Sequence, residues 1–128
     1  MTTLTARFTV DGWDERPVEG LTGDWLDTVE MRKTFTSGLV GTSVALFVSS
    51  GEVDGYRSYF AAEHITAALV QGGEQGNVTV HHGGLESAPE RWFGHVVPNT
   101  GSGPFAGWAG TARIVHDEEG AYFSFEVS

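Results

Sequence analysis

The chain has 128 residues, with 7 Lys or Arg against 17 Asp or Glu, a formal charge of −10 when histidine is neutral. At 40% apolar and 19% charged, it suits a single folded domain over residues 1–128 with a buried core, and this excludes wholesale disorder. It has no cysteine, which removes disulfides, thiolate nucleophiles and thiolate metal sites, and its acidity argues against nucleic acid and anionic membranes as partners.

No segment reaches the ~18 uninterrupted apolar residues of a membrane helix. The opening Met1-Thr2-Thr3-Leu4-Thr5-Ala6-Arg7 has neither a basic nor an apolar signal region, so a cytoplasmic location is expected. Glycine occurs 18 times, and each one inside a helix would cost about 1 kcal/mol. Short strands separated by turns fit better.

Eight candidate strands follow in order. Ala6–Val10 sets Phe8 and Val10 against Arg7 and Thr9. Thr28–Thr36 sets Val29, Met31 and Phe35 against Glu30, Arg32 and Thr34, with Lys33 breaking the pattern. Thr42–Ser49 places Val44, Leu46 and Val48 on one face. Arg57–Leu69 is fourth; within Tyr56–Gln71, free of Gly and Pro, the spacing of Tyr56, Tyr59, Phe60, Glu63 and Ala67 also fits a helix, while Ile65-Thr66 and the aromatics favour a strand. Gly76–His82 sets Val78 and Val80 against Asn77 and Thr79. Arg91–Val97, Gly110–His116 and Ala121–Val127 complete the series. Period-two alternation marks a sheet with one covered face, and eight short strands predict a sandwich or a closed barrel. Asp14–Gly23 and Gly83–Glu90 read as surface loops.

Several motifs have ordinary explanations. Gly101-Ser102-Gly103-Pro104-Phe105-Ala106 matches G-x-G-x-x-A, but Gly107 and Gly110 follow too closely for the helix that dinucleotide binding needs. It reads as a turn between the sixth and seventh strands. His81 and His82 are adjacent, so on a strand they point to opposite faces and do not share one ion. Glu63 and His64 have the same problem, and no metal is expected. Trp13 and Trp108 lie beside turns, placed to plug the ends of a barrel, while Trp25 and Trp92 complete a high indole count.

The arrangement that carries chemistry joins the fourth and fifth strands. Tyr59, Ala61 and Glu63 share one face of one strand; Val78, Val80 and His82 share one face of the next. If both faces point inward, Glu63 and His82 are polar groups in an apolar interior. Burial alone raises a carboxyl pKa and suits it to acid–base work. The alternatives are a solvent-facing Glu63, or a buried pair that only orders the core.

Five stretches together resemble a known family: Phe8–Glu15 (FTVDGWDE), Arg32–Ser43 (RKTFTSGLVGTS), Glu63–Leu69 (EHITAAL), Gly76–Gly84 (GNVTVHHGG) and Val96–Gly110 (VVPNTGSGPFAGWAG). In order and spacing they are similar to the small bacterial family called domain of unknown function 3224, in the allene oxide cyclase barrel group. The resemblance implies an all-β, eight-stranded antiparallel up-and-down barrel with a central cavity, associating as a homo-oligomer. It matches Glu63 and His82 to the family's strand-four glutamate and strand-five histidine, Thr100 and Ser102 to hydroxyls of the glycine-rich turn, and Trp13 and Glu15 to the early Trp-Asp-Glu piece. The family's tryptophan near Val-Val-Pro is replaced by Gly94, with Trp92 on the same face.

An eight-stranded barrel holds side chains or one small ligand. The expected ligand is a mostly apolar small molecule, with Gly94 and Ala61 leaving volume. Phe8, Met31, Val80, Trp92, Phe123, Phe125 and Trp13 would line it. Cofactor-free cyclisation or isomerisation would use Glu63 to move a proton, His82 to orient it and Tyr59 to hydrogen-bond the substrate. A non-catalytic binding protein and a structural oligomeric barrel filled by its own side chains remain alternatives.

Overall fold

A computed structural model describes residues 1–20, 26–51 and 57–128. Trp25, Tyr56 and the end of the Asp14–Gly23 segment lie outside the described residues. The described residues form eight strands: β1 (Thr2–Glu15), β2 (Leu26–Ser37), β3 (Val40–Ser50), β4 (Ser58–Ala68), β5 (Gln75–Leu85), β6 (Phe93–Val96), β7 (Gly110–Asp117) and β8 (Gly120–Val127). Each pairs antiparallel with its neighbour in sequence, and β8 pairs with β1, closing an up-and-down barrel. Closure leaves no free sheet edge along the paired strands.

The ambiguous fourth segment is a strand. Tyr59, Ala61, Glu63 and Ile65 alternate inward against exposed Phe60, Ala62 and His64. Strand β1 is far longer than Ala6–Val10, because it serves two neighbours: Thr2–Arg7 pairs with β8, and Arg7–Glu15 pairs with β2. Two register shifts bend it from one partner to the other. The second, at Asp11, places Trp13 opposite Met31. Two loops begin later than the turn residues suggest: Asp14 and Glu15 still belong to β1, and Gly83–Leu85 to β5.

Strand β3 turns its apolar face outward. Val44 and Leu46 are exposed, while Ser43, Ala45 and Ser49 point into the barrel.

The glycine-rich turn forms no helix beyond one 3-10 turn at Gly103–Phe105. Strand β6 has four residues, so it covers only part of β5, whose edge continues toward Gln75. The turn completes that edge. Val97 N–H donates to Thr79 O (2.9 Å) and Ser102 N–H to Asn77 O (2.8 Å). In return, Asn77 N–H donates to Ser102 Oγ (2.9 Å) and Thr79 N–H to Thr100 Oγ1 (3.1 Å). Thr100 and Ser102 therefore act as a surrogate strand. A Cβ on Gly76 would lie 2.0 Å from Ser102 O, which is why the turn can approach so closely.

One half of the lumen is packed solid. Phe35, Leu39, Ile65, Val78, Val80, Val96, Phe105, Phe123 and Phe125 belong to one buried cluster. Trp108, partly buried, packs edge-on against Phe105 (4.9 Å between centroids) and tilts against Phe125 of this cluster. Toward the other end, a second buried cluster holds Met31, Ala45, Tyr59 and Ala61, with Phe47 and Trp92 against it.

Candidate functional site

A cavity of about 850 Å³ occupies the less filled half of the barrel. Its apolar wall includes Phe8, Met31, Phe47, Trp92 and Ile114, and its rim carries Arg57, Glu86, Glu90, Arg113 and His116. One side is a run of rings. Trp13 tilts against Phe47 (5.4 Å), Phe47 stacks on Tyr59 (5.2 Å), Tyr59 meets the edge of Trp92 (5.0 Å), and Trp92 meets His116 (5.6 Å). The Trp92 indole N–H is anchored on Leu85 O, and Arg113 holds Trp92 O through Nε at 3.0 Å.

Inside the rim, the polar groups that line this cavity are Lys33, Tyr59 and His82. Behind them lies Glu63, 0% exposed. Its Oε1 accepts from Lys33 Nζ (2.9 Å) and from His82 Nε2–H (2.8 Å), and its Oε2 accepts from Ser43 Oγ–H (2.6 Å). The His82 Nδ1 lies 3.0 Å from the Tyr59 hydroxyl. Because an ionised carboxylate only accepts, the neutral ring carries its proton on Nε2, leaving Nδ1 to accept from Tyr59 O–H. The result is a directed chain: Tyr59 donates to His82, and His82 donates to Glu63. Among the described residues no buried side-chain N or O lacks a partner.

Burial works against the Glu63 charge, but the Lys33 ammonium, the His82 N–H and the Ser43 hydroxyl outweigh it and hold the carboxyl down at about 2. This reverses the expectation that burial would raise it. The reason is Lys33, which burial alone would neutralise and Glu63 partly restores; its pKa still lies below the ordinary lysine value. Burial also keeps His82 below the ordinary histidine value, despite the opposing pull of Glu63. Burial and then the Glu63 charge push the Tyr59 phenol upward. At neutral pH His82 is therefore a neutral imidazole and Tyr59 a neutral phenol, while Lys33 Nζ and Glu63 Oε1 form an ion pair at 2.9 Å.

The expected residues separate into distinct layers. Tyr59, His82, Phe8, Met31 and Trp92 line the cavity. Glu63 sits behind it, in contact with His82 and not among the lining groups. Val80, Phe123 and Phe125 are fully buried in the solid half and do not line it. Phe123 supports the polar cluster from below, edge-on to His82 at 5.5 Å and 5.1 Å from Lys33 Nζ. Trp13 is 55% exposed and does not line the cavity; it tilts against Phe47 and stands opposite Met31 across the sheet. Neither Gly94 nor Ala61 lines the cavity; a Cβ on Gly94 would fall 1.8 Å from Ala112 O, so this glycine permits backbone contact rather than leaving room.

Two residues of the buried polar cluster escaped the sequence reading, as did Phe47 and Ile114 of the cavity wall. Lys33 shares the parity of Val29, Met31 and Phe35, an inward signal hidden by the habit of reading lysine as solvent-facing. Ser43 lies on the less apolar face of β3. Lys33 also bears on metal binding: a divalent ion at Glu63 Oε1 would meet the ammonium already there.

A profile of proteins of unknown function, DUF3224, matches residues 4–127. No curated protein matches the chain. Among solved structures, a DUF3224 protein of unknown function from Shewanella oneidensis MR-1 is similar with a TM-score of 0.82 and 24% sequence identity, over 100% of this chain and 96% of that one. That likeness supports the barrel, and the profile spans nearly every strand. The chain belongs to the DUF3224 family.

Proposed function

We propose that the chain binds a mostly apolar small molecule in the open half of its barrel, and that Tyr59, His82 and Glu63 give the site a proton relay suited to cofactor-free isomerisation or cyclisation. The observation that carries this reading is the cavity of about 850 Å³ whose polar lining ends in a directed Tyr59–His82–Glu63 chain. Its volume falls within the range of small-molecule sites.

The direction of the chain decides what it does. A ligand C–H or O–H proton passes to the Tyr59 oxygen as the phenol proton moves to His82 Nδ1. The resulting imidazolium is stabilised by Glu63. Returning the proton to another ligand atom completes an isomerisation. Glu63 thus supports the relay from behind, and Tyr59 meets the ligand. The allene oxide cyclase barrels that the sequence resembles lend this reading a precedent in fold and cavity.

The test uses N-phenyl-1-naphthylamine, an apolar dye whose emission rises on leaving water. It should bind at one site per chain, and Met31→Trp should abolish binding while circular dichroism stays unchanged. Dye binding unaffected by Met31→Trp would place it on the exposed Leu46 and Phe60 surface and end the reading. For the chemistry, deuterium uptake from D2O into 2-tetralone should be catalysed by the wild type and lost in Tyr59→Phe, with dye binding retained. Equal uptake with both proteins would leave a binding protein without a relay.

A further inference from the structure

The chain has one lysine, Lys33, and it is 3% exposed on an inward face of β2. Its ammonium carries three N–H bonds, yet Glu63 Oε1 is its one hydrogen-bond acceptor among the described residues. The nitrogen otherwise sits over the ring faces of Phe8 (4.2 Å) and Phe123 (5.1 Å), and Lys33 is one of the residues that line the cavity. A buried ion pair is poor value for stability, since apolar residues of similar size serve as well or better. An ammonium with spare donors at the floor of an apolar cavity is arranged to meet a ligand.

We propose that Lys33 captures a carbonyl compound, an aldehyde or ketone with an apolar or aromatic body, as a protonated imine whose counter-ion is Glu63. The inference rests on the cavity reading above but not on the relay. A carboxylate ligand is disfavoured, because it would bring a second negative charge to share one cation with Glu63. A neutral carbonyl leaves the pair balanced.

The step closes in atoms and charge. Lys33 passes one proton to Glu63 Oε1, and the freed nitrogen pair forms a bond to the carbonyl carbon. The carbonyl oxygen takes a second proton from that nitrogen, giving a carbinolamine. Glu63 then returns its proton to this oxygen, which leaves as water while the nitrogen pair closes the C=N bond. In sum, ammonium plus carbonyl becomes iminium plus water; the net charge of the buried pair stays zero at every step, and one positive and one negative charge stand there at the start and at the end. The rings of Phe8 and Phe123 face the cation before and after. Burial, which holds Lys33 below the ordinary lysine value, eases the first proton transfer.

The full chain is incubated with 3-phenylpropanal and sodium cyanoborohydride, digested, and mapped by mass spectrometry. The other amine is the α-amino group of Met1, exposed to solvent, which serves as an internal reference. Lys33 should be labelled once per chain, on the order of tenfold faster than Met1, as expected for a bound aldehyde at high effective concentration. The non-covalent analogue 3-phenylpropanol should protect Lys33, and Met31→Trp should suppress its labelling without affecting Met1. Label confined to Met1, while 3-phenylpropanol still raises the melting temperature, overturns the imine and leaves the cavity reading standing. Lys33 labelling insensitive to Met31→Trp and to the alcohol also overturns it, since the amine is then reached by unfolding. Absence of both labelling and stabilisation by the alcohol brings down the cavity reading with it.

Discussion

Replacing Lys33 by Met tests whether the polar cluster is held together by charge. The substitution keeps an unbranched side chain of similar length and removes the ammonium 2.9 Å from Glu63 Oε1. Glu63, fully buried, would retain the His82 N–H and the Ser43 hydroxyl but lose its counter-charge. Removing one partner of such a pair costs about 3–5 kcal/mol, a large share of the 5–15 kcal/mol typical of a small domain. Adding Glu63→Gln removes the stranded charge while its amide oxygen still accepts from His82. The double variant should therefore recover about 2 kcal/mol or more relative to Lys33→Met, within the coupling range of contacting residues. Urea unfolding at pH 7, followed by tryptophan emission, measures each difference at constant slope. Lys33→Met within about 1 kcal/mol of wild type, or a double variant equal to the sum of its singles, would refute a charge-coupled cluster.

Three further outcomes follow from geometry and titration. His82 and Glu63 both have folded pKa values depressed below their unfolded ones, so the unfolded chain takes up protons first and stability falls on acidification. The loss should begin as pH drops through the ordinary histidine value of 6.5 and deepen from 4.5 toward about 2 as Glu63 is protonated; urea midpoints that stay flat from pH 7 to 3 would contradict both shifts. Gly94→Ala should destabilise by about 1–3 kcal/mol or more, because its Cβ would meet Ala112 O at 1.8 Å and backbone does not yield cheaply; an unchanged melting temperature would show that β6 and β7 can part without cost. Thr100→Val should cost about 1–3 kcal/mol by leaving the Thr79 N–H without its acceptor, and hydrogen exchange should quicken at the Thr79 amide before it quickens at Val80.

The barrel was legible because period-two alternation survives in most strands, and glycines mark their ends. Parity also placed Tyr59 with Glu63, and His82 across from them. Strand β3 shows the limit of that signal. Its more apolar residues, Val44 and Leu46, face outward, while Ser43 and Ala45 face inward, where a narrow lumen shared with Lys33 and Glu63 leaves room for small side chains. Axial position was not legible either. Val80, Phe123 and Phe125 have the correct parity for the lumen but stand in its solid half, because depth depends on register around the whole ring. The β1 register shifts add to this, since they move Trp13 relative to Phe8 in a way that no local pattern records.

The division of the lumen explains why the charged cluster lies where it does. In the solid half, Glu63 would have had only apolar neighbours, and burial would have made it take up a proton and lose its charge. In the open half, water would screen Lys33 from it. At the boundary, the packed rings of Phe8 and Phe123 exclude solvent from below, while Lys33, Tyr59 and His82 remain in reach of whatever enters from above. Low local dielectric strengthens each of these hydrogen bonds and makes an unmade one expensive. The cluster is thus stable only as a complete set, and its polarity is delivered to the cavity through two groups of different chemistry: a phenol backed by a proton acceptor, and an amine backed by a carboxylate. A barrel required only to stand would gain nothing from that pairing, since apolar residues at 33 and 63 would fill the same space without a desolvation cost.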